Sequence, residues 1–182
     1  MDEIKFINII ELQEGLKEKV RQWRNKEEIR RFMLTQHIVS KGEHLQWIEG
    51  LKHRNDWKFW VIFLKDIPIG SVYLQNINYE KISSEWGFYI GEEEYKRKGL
   101  SKAVLLKLLE IFFDEMKFAT LFTKILSDNI VALNLYRKFK FKQIEKASFE
   151  DKREVVILGF SKEDWMKYRR QLENEACPAN RK

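Results

Sequence analysis

The chain has few of the residues that build disulfide frameworks or metal centres. Its one cysteine, Cys177, excludes a disulfide within the chain, and its position in a polar C-terminal segment argues against a catalytic thiol. The three histidines, His37, His44 and His53, lack metal-ligand spacing with cysteines or with clustered carboxylates. We therefore predict no metal site.

Long hydrophobic runs are also missing. No apolar stretch approaches the roughly 20 residues that a membrane-crossing helix needs, so we predict no membrane partner. The start of the chain, Met1–Lys5, has neither the basic region nor the apolar core of a signal peptide, and we expect a cytoplasmic protein. Repeats, linkers and the aromatic-basic patterns of single-strand nucleic-acid binders are absent as well, so we predict no nucleic-acid partner.

What is present is enough for one well-packed domain. The 182 residues are 44% hydrophobic, which predicts a single domain over residues 1–175 and a disordered tail over 176–182. The formal net charge is +6, and lysines and arginines are spread along the chain rather than gathered in a block. This distribution favours small phosphorylated ligands as partners. The oligomeric state stays open, a homodimer included.

Hydrophobic periodicity predicts the order of elements. After a β-like run over residues 4–10, helical spacing covers 14–25 and a short helix follows over 27–34. Ser40 and Glu43 form a capping box that opens a helix through Lys52, with Leu45, Ile48 and Leu51 on its apolar face. Strands are predicted over 57–65, 69–78 and 84–90, with a tight turn at 66–68 between the first two. These three strands form an antiparallel meander.

The second half of the chain alternates helices with strands. We predict a helix over 100–116, a strand over 120–125, a helix over 129–138, two strands near 141–150 and 154–160, and a last helix capped by Ser161 and Asp164. A meander followed by helical crossovers indicates an α/β fold with a mixed sheet and helices on both faces.

The segment Tyr95–Ser101 has the features of a diphosphate-binding turn. Lys96, Arg97 and Lys98 precede Gly99 at the start of the leucine-rich helix. Backbone N–H groups at a helix start lack partners, glycine allows close approach, and the helix dipole favours an anion. A solvated basic helix start is the alternative.

A second segment, Asn129–Phe141, strengthens the first interpretation. It resembles the signature Asn-x-x-Ala-x-x-Leu-Tyr-x-Lys-x-Gly-Phe of the GCN5-related N-acetyltransferases (GNATs), whose other signature, Gln/Arg-x-x-Gly-x-Gly/Ala, resembles residues 96–101. The chain departs from these patterns at Lys96, at Ser101 and at Lys140, which stands where the family has glycine.

The resemblance implies the GNAT fold, in which two central strands splay apart, and acetyl-CoA as the acetyl donor. Its pantetheine arm would run along the third meander strand, and Asn129 would contact that arm while also capping its helix. A backbone N–H of Tyr89 or Ile90 would polarise the thioester carbonyl. The residues assigned to the cofactor are Phe88, Tyr89, Ile90, Lys96, Arg97, Lys98, Gly99, Leu100, Ser101 and Asn129.

The resemblance also assigns two catalytic residues. Tyr136 matches the tyrosine that donates a proton to the departing thiolate, and a phenol with the usual pKa of about 10 is protonated at neutral pH. Glu85 lies where many relatives carry the glutamate that deprotonates the amine, often through water, and partial desolvation beside aromatic side chains would favour proton uptake there. The alternatives are a packed aromatic residue for Tyr136 and a solvent-facing charge for Glu85.

Three segments of the N-terminal third, Trp23–Asn25, Phe32-Met33 and Glu43–Leu51, contain an Arg-Asn pair, a methionine and a His-Leu-x-aromatic-Ile-x-x-Leu run. They resemble the corresponding segments of the branch of the family that acetylates the 4-amino group of UDP-4-amino-4,6-dideoxy-N-acetyl-β-L-altrosamine in pseudaminic acid biosynthesis. Arg24 would bind phosphate, His44 would donate to a phosphate or a sugar hydroxyl, and Trp47 with Met33 would form an apolar wall. Each residue alone also suits a surface or core position. Two other hypotheses stay open: an acetyltransferase of ribosomal-protein or other peptide N-termini, and a non-catalytic acyl-CoA-binding regulator.

Overall fold

The computed structural model describes residues 4–96, 98–148 and 153–176. The strands are β1 Ile4–Asn8, β2 Lys58–Leu64, β3 Ile67–Asn78, β4 Ser83–Ile90, β5 Thr120–Leu126, β6 Lys142–Ser148 and β7 Glu154–Ser161. The helices are α1 Glu14–Asn25, α2 Glu27–Arg30, α3 Lys41–Leu51, α4 Leu100–Glu110, α5 Ile130–Lys138 and α6 Lys162–Ala176. Over the described ranges, none of these helices is both long and apolar enough to cross a bilayer.

The chain folds into two compact units. The described part of the first, here the N-terminal unit, is residues 4–77 with 86–96, and that of the second, the C-terminal unit, is residues 78–85 with 98–148 and 153–176. Strand β4 contributes its first three residues to the C-terminal unit and the rest to the N-terminal unit.

The N-terminal unit contains the antiparallel β2–β3 pair of the predicted meander, and β4 is the next strand of the sheet beside β3. Strand β2 pairs with β1 on one side and with β3 on the other, both antiparallel. The turn between β2 and β3 is Lys65-Asp66, one residue earlier than predicted, with Lys65 in the left-handed region at φ 57°. Pro68 already lies within β3 and pairs with Phe63 beside a β-bulge. A proline is tolerated there because the bulge already interrupts the hydrogen-bond ladder.

Helix α1 and the capping box of α3 match their predictions. Ser40 Oγ accepts from the Glu43 N–H at 3.2 Å, and the Glu43 carboxylate accepts from the Ser40 N–H at 2.7 Å. The predicted apolar face of α3 was wrong at Leu45, which is 42% exposed, whereas His44 is 5% exposed. The polar His44 ring is buried because its Nε2 atom has a hydrogen-bond partner, the Lys17 carbonyl. The helix predicted over 27–34 ends at Arg30.

The C-terminal unit contains a parallel strand pair. Residues Ser83–Glu85 of β4 pair in parallel with residues 120–122 of β5. Strand β7 lies between β5 and β6 and is antiparallel to both. The sheet combines antiparallel strand pairs with a parallel pair, so it is a mixed sheet, as the sequence predicted.

The helices of the C-terminal unit begin and end at identifiable residues. Helix α4 passes into a wider turn over residues 111–115, where the Met116 N–H donates to the Ile111 carbonyl five residues earlier. Ser161 and Asp164 cap α6 as predicted, with the Ser161 N–H donating to Asp164 Oδ2 at 3.2 Å. Helix α6 ends at Ala176, and the rest of the predicted tail lies outside the described residues.

Candidate active site

The N-terminal unit contains a cavity of about 450 Å³ that brings together all four residues predicted for the acceptor. Arg24 comes from α1, Met33 from the segment after α2, and His44 and Trp47 from α3. The other lining residues are Val20, Leu34, Thr35, His37, Val39, Glu43, Trp57, Phe59, Tyr73, Gln75 and Tyr89. The wall is thus mainly aromatic and aliphatic, with few polar side chains.

Arg24 is the cationic side chain of this cavity without a carboxylate partner. Its Nη2 atom donates to the Thr35 carbonyl and, at 3.3 Å, to Thr35 Oγ1. Its Nη1 atom is enclosed and has no hydrogen-bond partner among the described residues. Burial lowers the pKa of the guanidinium, although the nearby Tyr89 and Tyr73 phenols act in the opposite direction. A partly buried cation without a compensating anion attracts an anionic ligand.

The ring nitrogen of His44 that is left for a ligand cannot donate a hydrogen bond, although the predicted role of His44 was that of a donor. Its Nε2 atom lies 2.8 Å from the Lys17 carbonyl, and its ring stacks on Trp47 with centroids 5.4 Å apart. Burial is the main cause of the lowered pKa of His44, so the ring is neutral at pH 7. With Nε2 protonated toward Lys17, the atom left for a ligand is Nδ1, which accepts a hydrogen bond rather than donating one.

The aromatic wall formed by β2, β3 and β4 was missed from the sequence. Phe59 and Tyr73 are direct cross-strand partners, and their rings stack with centroids 6.1 Å apart. Gln75, two residues after Tyr73 on β3, and Trp57, which directly precedes β2 and is two residues before Phe59, also line the cavity. That alternation was the available signal, because side chains at i and i+2 of a strand share a face.

Tyr89 contributes its side chain to this cavity, although the sequence assigned its backbone to the cofactor. Its side chain is partly buried, and this burial raises the pKa of the phenol to about 12, with Ser71 and Arg24 opposing that shift. The phenol is therefore a protonated donor at every physiological pH. A Cβ on Gly87 would lie 2.4 Å from the Tyr73 hydroxyl, so this glycine makes room for the Tyr73 ring.

The remaining cofactor candidates of the N-terminal unit lie on and after β4. Phe88 stacks on Trp86 with centroids 5.6 Å apart, and Ile90 is buried. Lys96 forms ion pairs with Glu93 at 2.6 Å and with Glu28 at 3.4 Å. Its charge is therefore already compensated within this unit.

In the C-terminal unit, the predicted diphosphate-binding turn has a backbone that suits glycine. Gly99 has φ +78° and ψ −2° and is the N-cap of α4, where no side chain caps the helix. A Cβ built on Gly99 would meet nothing within 4 Å, which leaves open space at the helix start. Lys98, Leu100 and Ser101 flank this point, and Arg97 lies outside the described residues.

The Asn129–Phe141 signature consists largely of the two caps of α5. Asn129 Oδ1 accepts from the Ala132 N–H at 3.2 Å and so caps the helix, as predicted. At the other end, the Lys140 N–H donates to the Arg137 carbonyl and the Phe141 N–H to the Tyr136 carbonyl, each at 3.0 Å. This is a Schellman motif, and its usual apolar contact is the packing of Tyr136 on Phe141, with centroids 5.2 Å apart.

Tyr136 and Glu85 each have a defined environment in this unit. Tyr136 is 4% exposed and held by the C-terminal cap of α5. Glu85 ends the parallel segment of β4, and its Oε1 atom lies 2.7 Å from Lys124 Nζ on β5. The sequence placed Glu85 among aromatic side chains, and this ion pair was not foreseen.

Comparison with known proteins places these features in one family. The family model described as "Acetyltransferase (GNAT) domain" matches residues 9–142. Acetyltransferase PseH of Campylobacter jejuni subsp. jejuni serotype O:23/36 (strain 81-176) is 30% identical over 138 residues, which are 76% of this chain and 84% of that protein. An uncharacterized prophage N-acetyltransferase, YokL of Bacillus subtilis (strain 168), is 23% identical over 63% of this chain and 65% of its own length.

Solved structures show the same fold. The spermidine N-acetyltransferase of Vibrio cholerae, in complex with CoA and spermine, has a TM-score of 0.81 and 18% identity over 90% of this chain and 98% of its own. Campylobacter jejuni PseH in complex with acetyl coenzyme A has a TM-score of 0.68 and 24% identity over 87% and 99%. The chain therefore belongs to the GNAT acetyltransferase family and is an enzyme that uses acetyl-CoA as its acetyl donor.

Proposed function

We propose that the acceptor is a UDP-linked aminosugar, UDP-4-amino-4,6-dideoxy-N-acetyl-β-L-altrosamine, acetylated on its 4-amino group. The observation that carries this proposal is Arg24, a guanidinium without a carboxylate partner in an aromatic cavity. A sugar nucleotide supplies both complements: a diphosphate for the cation and an aromatic base or deoxy methyl group for the walls. The relative named acetyltransferase PseH supports the coarser assignment, an acetyltransferase.

On the donor side, the open helix start suits a diphosphate. Gly99 leaves space that a side chain would occupy, and the first N–H groups of α4 point along the helix axis toward that space. Lys98 adds a positive charge. We assign Lys98, Gly99, Leu100 and Ser101 to the diphosphate, with Lys96 in a lesser role because its charge is shared with Glu93 and Glu28.

The chemistry is a direct transfer. The neutral amine nitrogen forms a bond to the acetyl carbonyl carbon, and the carbon–sulfur bond of the thioester breaks. In our proposal the phenol of Tyr136 donates its proton to the sulfur, and Glu85 receives the proton that the amine loses, directly or through water. Lys124 holds the Glu85 carboxylate in place through its 2.7 Å contact.

This assignment gives the protein a biological setting. We place the reaction in pseudaminic acid biosynthesis, in the cytoplasm, upstream of flagellin or cell-surface glycosylation. A homodimer is compatible with this function. The peptide acetyltransferase and the non-catalytic regulator remain the competing hypotheses, and the experiment below separates all three.

The decisive experiment is product analysis after incubation with acetyl-CoA and UDP-aminosugars, combined with thermal shift measurements with UDP. We expect an N-acetylated sugar nucleotide and stabilisation by UDP, since ligand binding to the folded state raises its stability. Arg24→Gln should abolish most of the UDP-induced shift, and Arg31→Gln, an exposed change outside the cavity lining, should preserve it.

Two outcomes would contradict the proposal. Turnover of a peptide amine with no response to UDP would identify a peptide acetyltransferase. Tight acetyl-CoA binding without turnover of any amine would identify a regulator.

A further inference from the structure

One wall of the acceptor cavity is an irregular segment, residues 33–39, here named the strap. It supplies Met33, Leu34, Thr35, His37 and Val39 to the lining. None of these residues lies in a helix or strand, so their backbone groups need hydrogen-bond partners from elsewhere. The Met33 N–H donates to the Arg30 carbonyl at 3.0 Å, and several carbonyl groups farther along the strap accept from side chains outside it.

Side chains of α1 and α2 supply those partners. Asn25 binds Val39 in both directions: its Nδ2 atom donates to the Val39 carbonyl at 2.9 Å, and its Oδ1 atom accepts from the Val39 N–H at 2.9 Å. Arg21 Nη1 donates to the same carbonyl at 2.9 Å. Arg30 Nη1 donates to the Gln36 carbonyl at 2.7 Å.

Asn25 differs from the arginines because it satisfies both backbone groups of one residue. Val39 directly precedes Ser40, whose N–H and hydroxyl form the capping box that starts α3. The paired bonds of Asn25 therefore fix the end of the strap at the point where the helix carrying His44 and Trp47 begins. This junction joins the strap to the helix that forms another part of the cavity lining.

We propose that Asn25 is a positioning residue for the acceptor, which holds the strap and the start of α3 in the arrangement that binds a nucleotide. Asn25 itself is not among the residues that line the cavity, so it acts through Val39. This inference rests on the proposed function for the identity of the ligand, but the fastening of the strap can be measured without any ligand.

The test uses two variants and a control on the same helix. Asn25→Ala removes both bonds, whereas Asn25→Asp keeps the acceptor for the Val39 N–H and loses only the donor. Gln22→Ala, at an exposed position of α1, is the matched control. Binding of UDP and of acetyl-CoA is measured by calorimetry, and amide hydrogen exchange of residues 33–40 is measured in the ligand-free protein.

We expect Asn25→Ala to weaken UDP binding roughly tenfold, as the loss of two neutral hydrogen bonds allows, and Asn25→Asp to weaken it less. The affinity for acetyl-CoA should stay within about twofold of that of the unaltered protein. Of the three variants, only Asn25→Ala should show faster amide hydrogen exchange at Val39. Acetyl-CoA binding also shows that each variant is folded, so a general loss of structure would not pass for the expected result.

Unchanged UDP affinity in Asn25→Ala, with normal binding by the unaltered protein, would overturn the inference. If the unaltered protein does not bind UDP at all, the proposed function fails and hydrogen exchange alone decides. In that case, faster exchange of residues 33–40 in Asn25→Ala supports the fastening role, and unchanged exchange refutes it.

Discussion

The C-terminal cap of α5 places Lys140 in a backbone conformation that is unusual for lysine. This residue has φ 65°, in the left-handed region, and it occupies the position where the family signature has glycine. A left-handed backbone costs a residue with a Cβ about 1–2 kcal/mol, while glycine adopts it without steric conflict. Replacing Lys140 with glycine should therefore stabilise the protein, although glycine is usually destabilising.

The expected size follows from two opposing terms. Relief of the left-handed conformation contributes about 1–2 kcal/mol, and the greater freedom of glycine in the unfolded chain costs about 0.5–1 kcal/mol. Lys140→Gly should then raise the free energy of unfolding by about 0–1.5 kcal/mol, with a central value of about 0.75 kcal/mol, or Tm by up to about 6 °C for a chain of this size. Urea denaturation and a thermal scan measure both quantities.

A matched substitution two residues earlier should have the opposite sign. Lys138 is exposed and is the last residue of α5, where glycine is less favourable than lysine by up to about 0.7 kcal/mol, the value for a helix interior. Lys138→Gly should therefore lower the free energy of unfolding. If Lys140→Gly were as destabilising as Lys138→Gly, the cap would not contain a left-handed residue in solution, and our reasoning on the position of Tyr136 would fail with it.

Three further predictions concern the site. Tyr136→Phe should lower kcat at least tenfold with little change in the affinity for acetyl-CoA. The reason is that general acid catalysis contributes at least about 10²-fold when water cannot replace the acid. An unchanged kcat would show that Tyr136 is not the general acid. His44 has a lowered pKa in the folded state, so the unfolded chain binds its proton first and the free energy of unfolding should decrease as the pH falls below about 6.5. His44→Gln should be flatter between pH 7 and 5.5 in urea titrations. Gly87→Ala places a Cβ 2.4 Å from the Tyr73 hydroxyl and should destabilise by about 1–3 kcal/mol, and adding Tyr73→Phe should restore part of that loss in the same assay.

The glycine turn before α4 and the N-cap of α5 could be predicted from the sequence because both motifs encode local backbone geometry. Glycine is favoured at residue 99, where φ is +78°, and Asn129 accepts a hydrogen bond from a residue three positions along the chain. Such relationships span a few residues, so they appear as fixed spacings in one sequence. The same logic located the departure at Lys140, whose φ of 65° the family glycine would adopt freely.

Charge partners could not be predicted in this way. Glu85 pairs with Lys124, which is 39 residues later, and Lys96 pairs with Glu28, which is 68 residues earlier. The local i,i+3 pair of Lys96 with Glu93 is visible in the sequence, but these distant partners are not, because distant pairing depends on which strands and turns become neighbours. The sequence therefore identified ionisable residues at the site but not how their charges are compensated.

The acceptor cavity lies between these two cases. Helical periodicity predicted α1 and α3 correctly. The predicted apolar face of α3, however, included Leu45 instead of His44, because the burial of His44 depends on a hydrogen bond to a carbonyl far away in the chain. The strand side, with Phe59 opposite Tyr73, shows only an alternation that many strands share. A cavity built from residues far apart in the chain is therefore difficult to predict from the sequence.

Enzymes that share a fold can bind different acceptors, so we compare the charges in the cavity with the charge of each candidate acceptor. A spermidine acetyltransferase and PseH share this fold, but a polyamine carries several positive charges and needs carboxylates to bind them. The cavity offers one carboxylate, Glu43, which already accepts from the Ser40 N–H, and one uncompensated cation, Arg24. A polycation would meet like charge there, whereas the diphosphate of a sugar nucleotide would supply the anion that Arg24 lacks. This sign difference, rather than the degree of structural similarity, favours the nucleotide-linked acceptor.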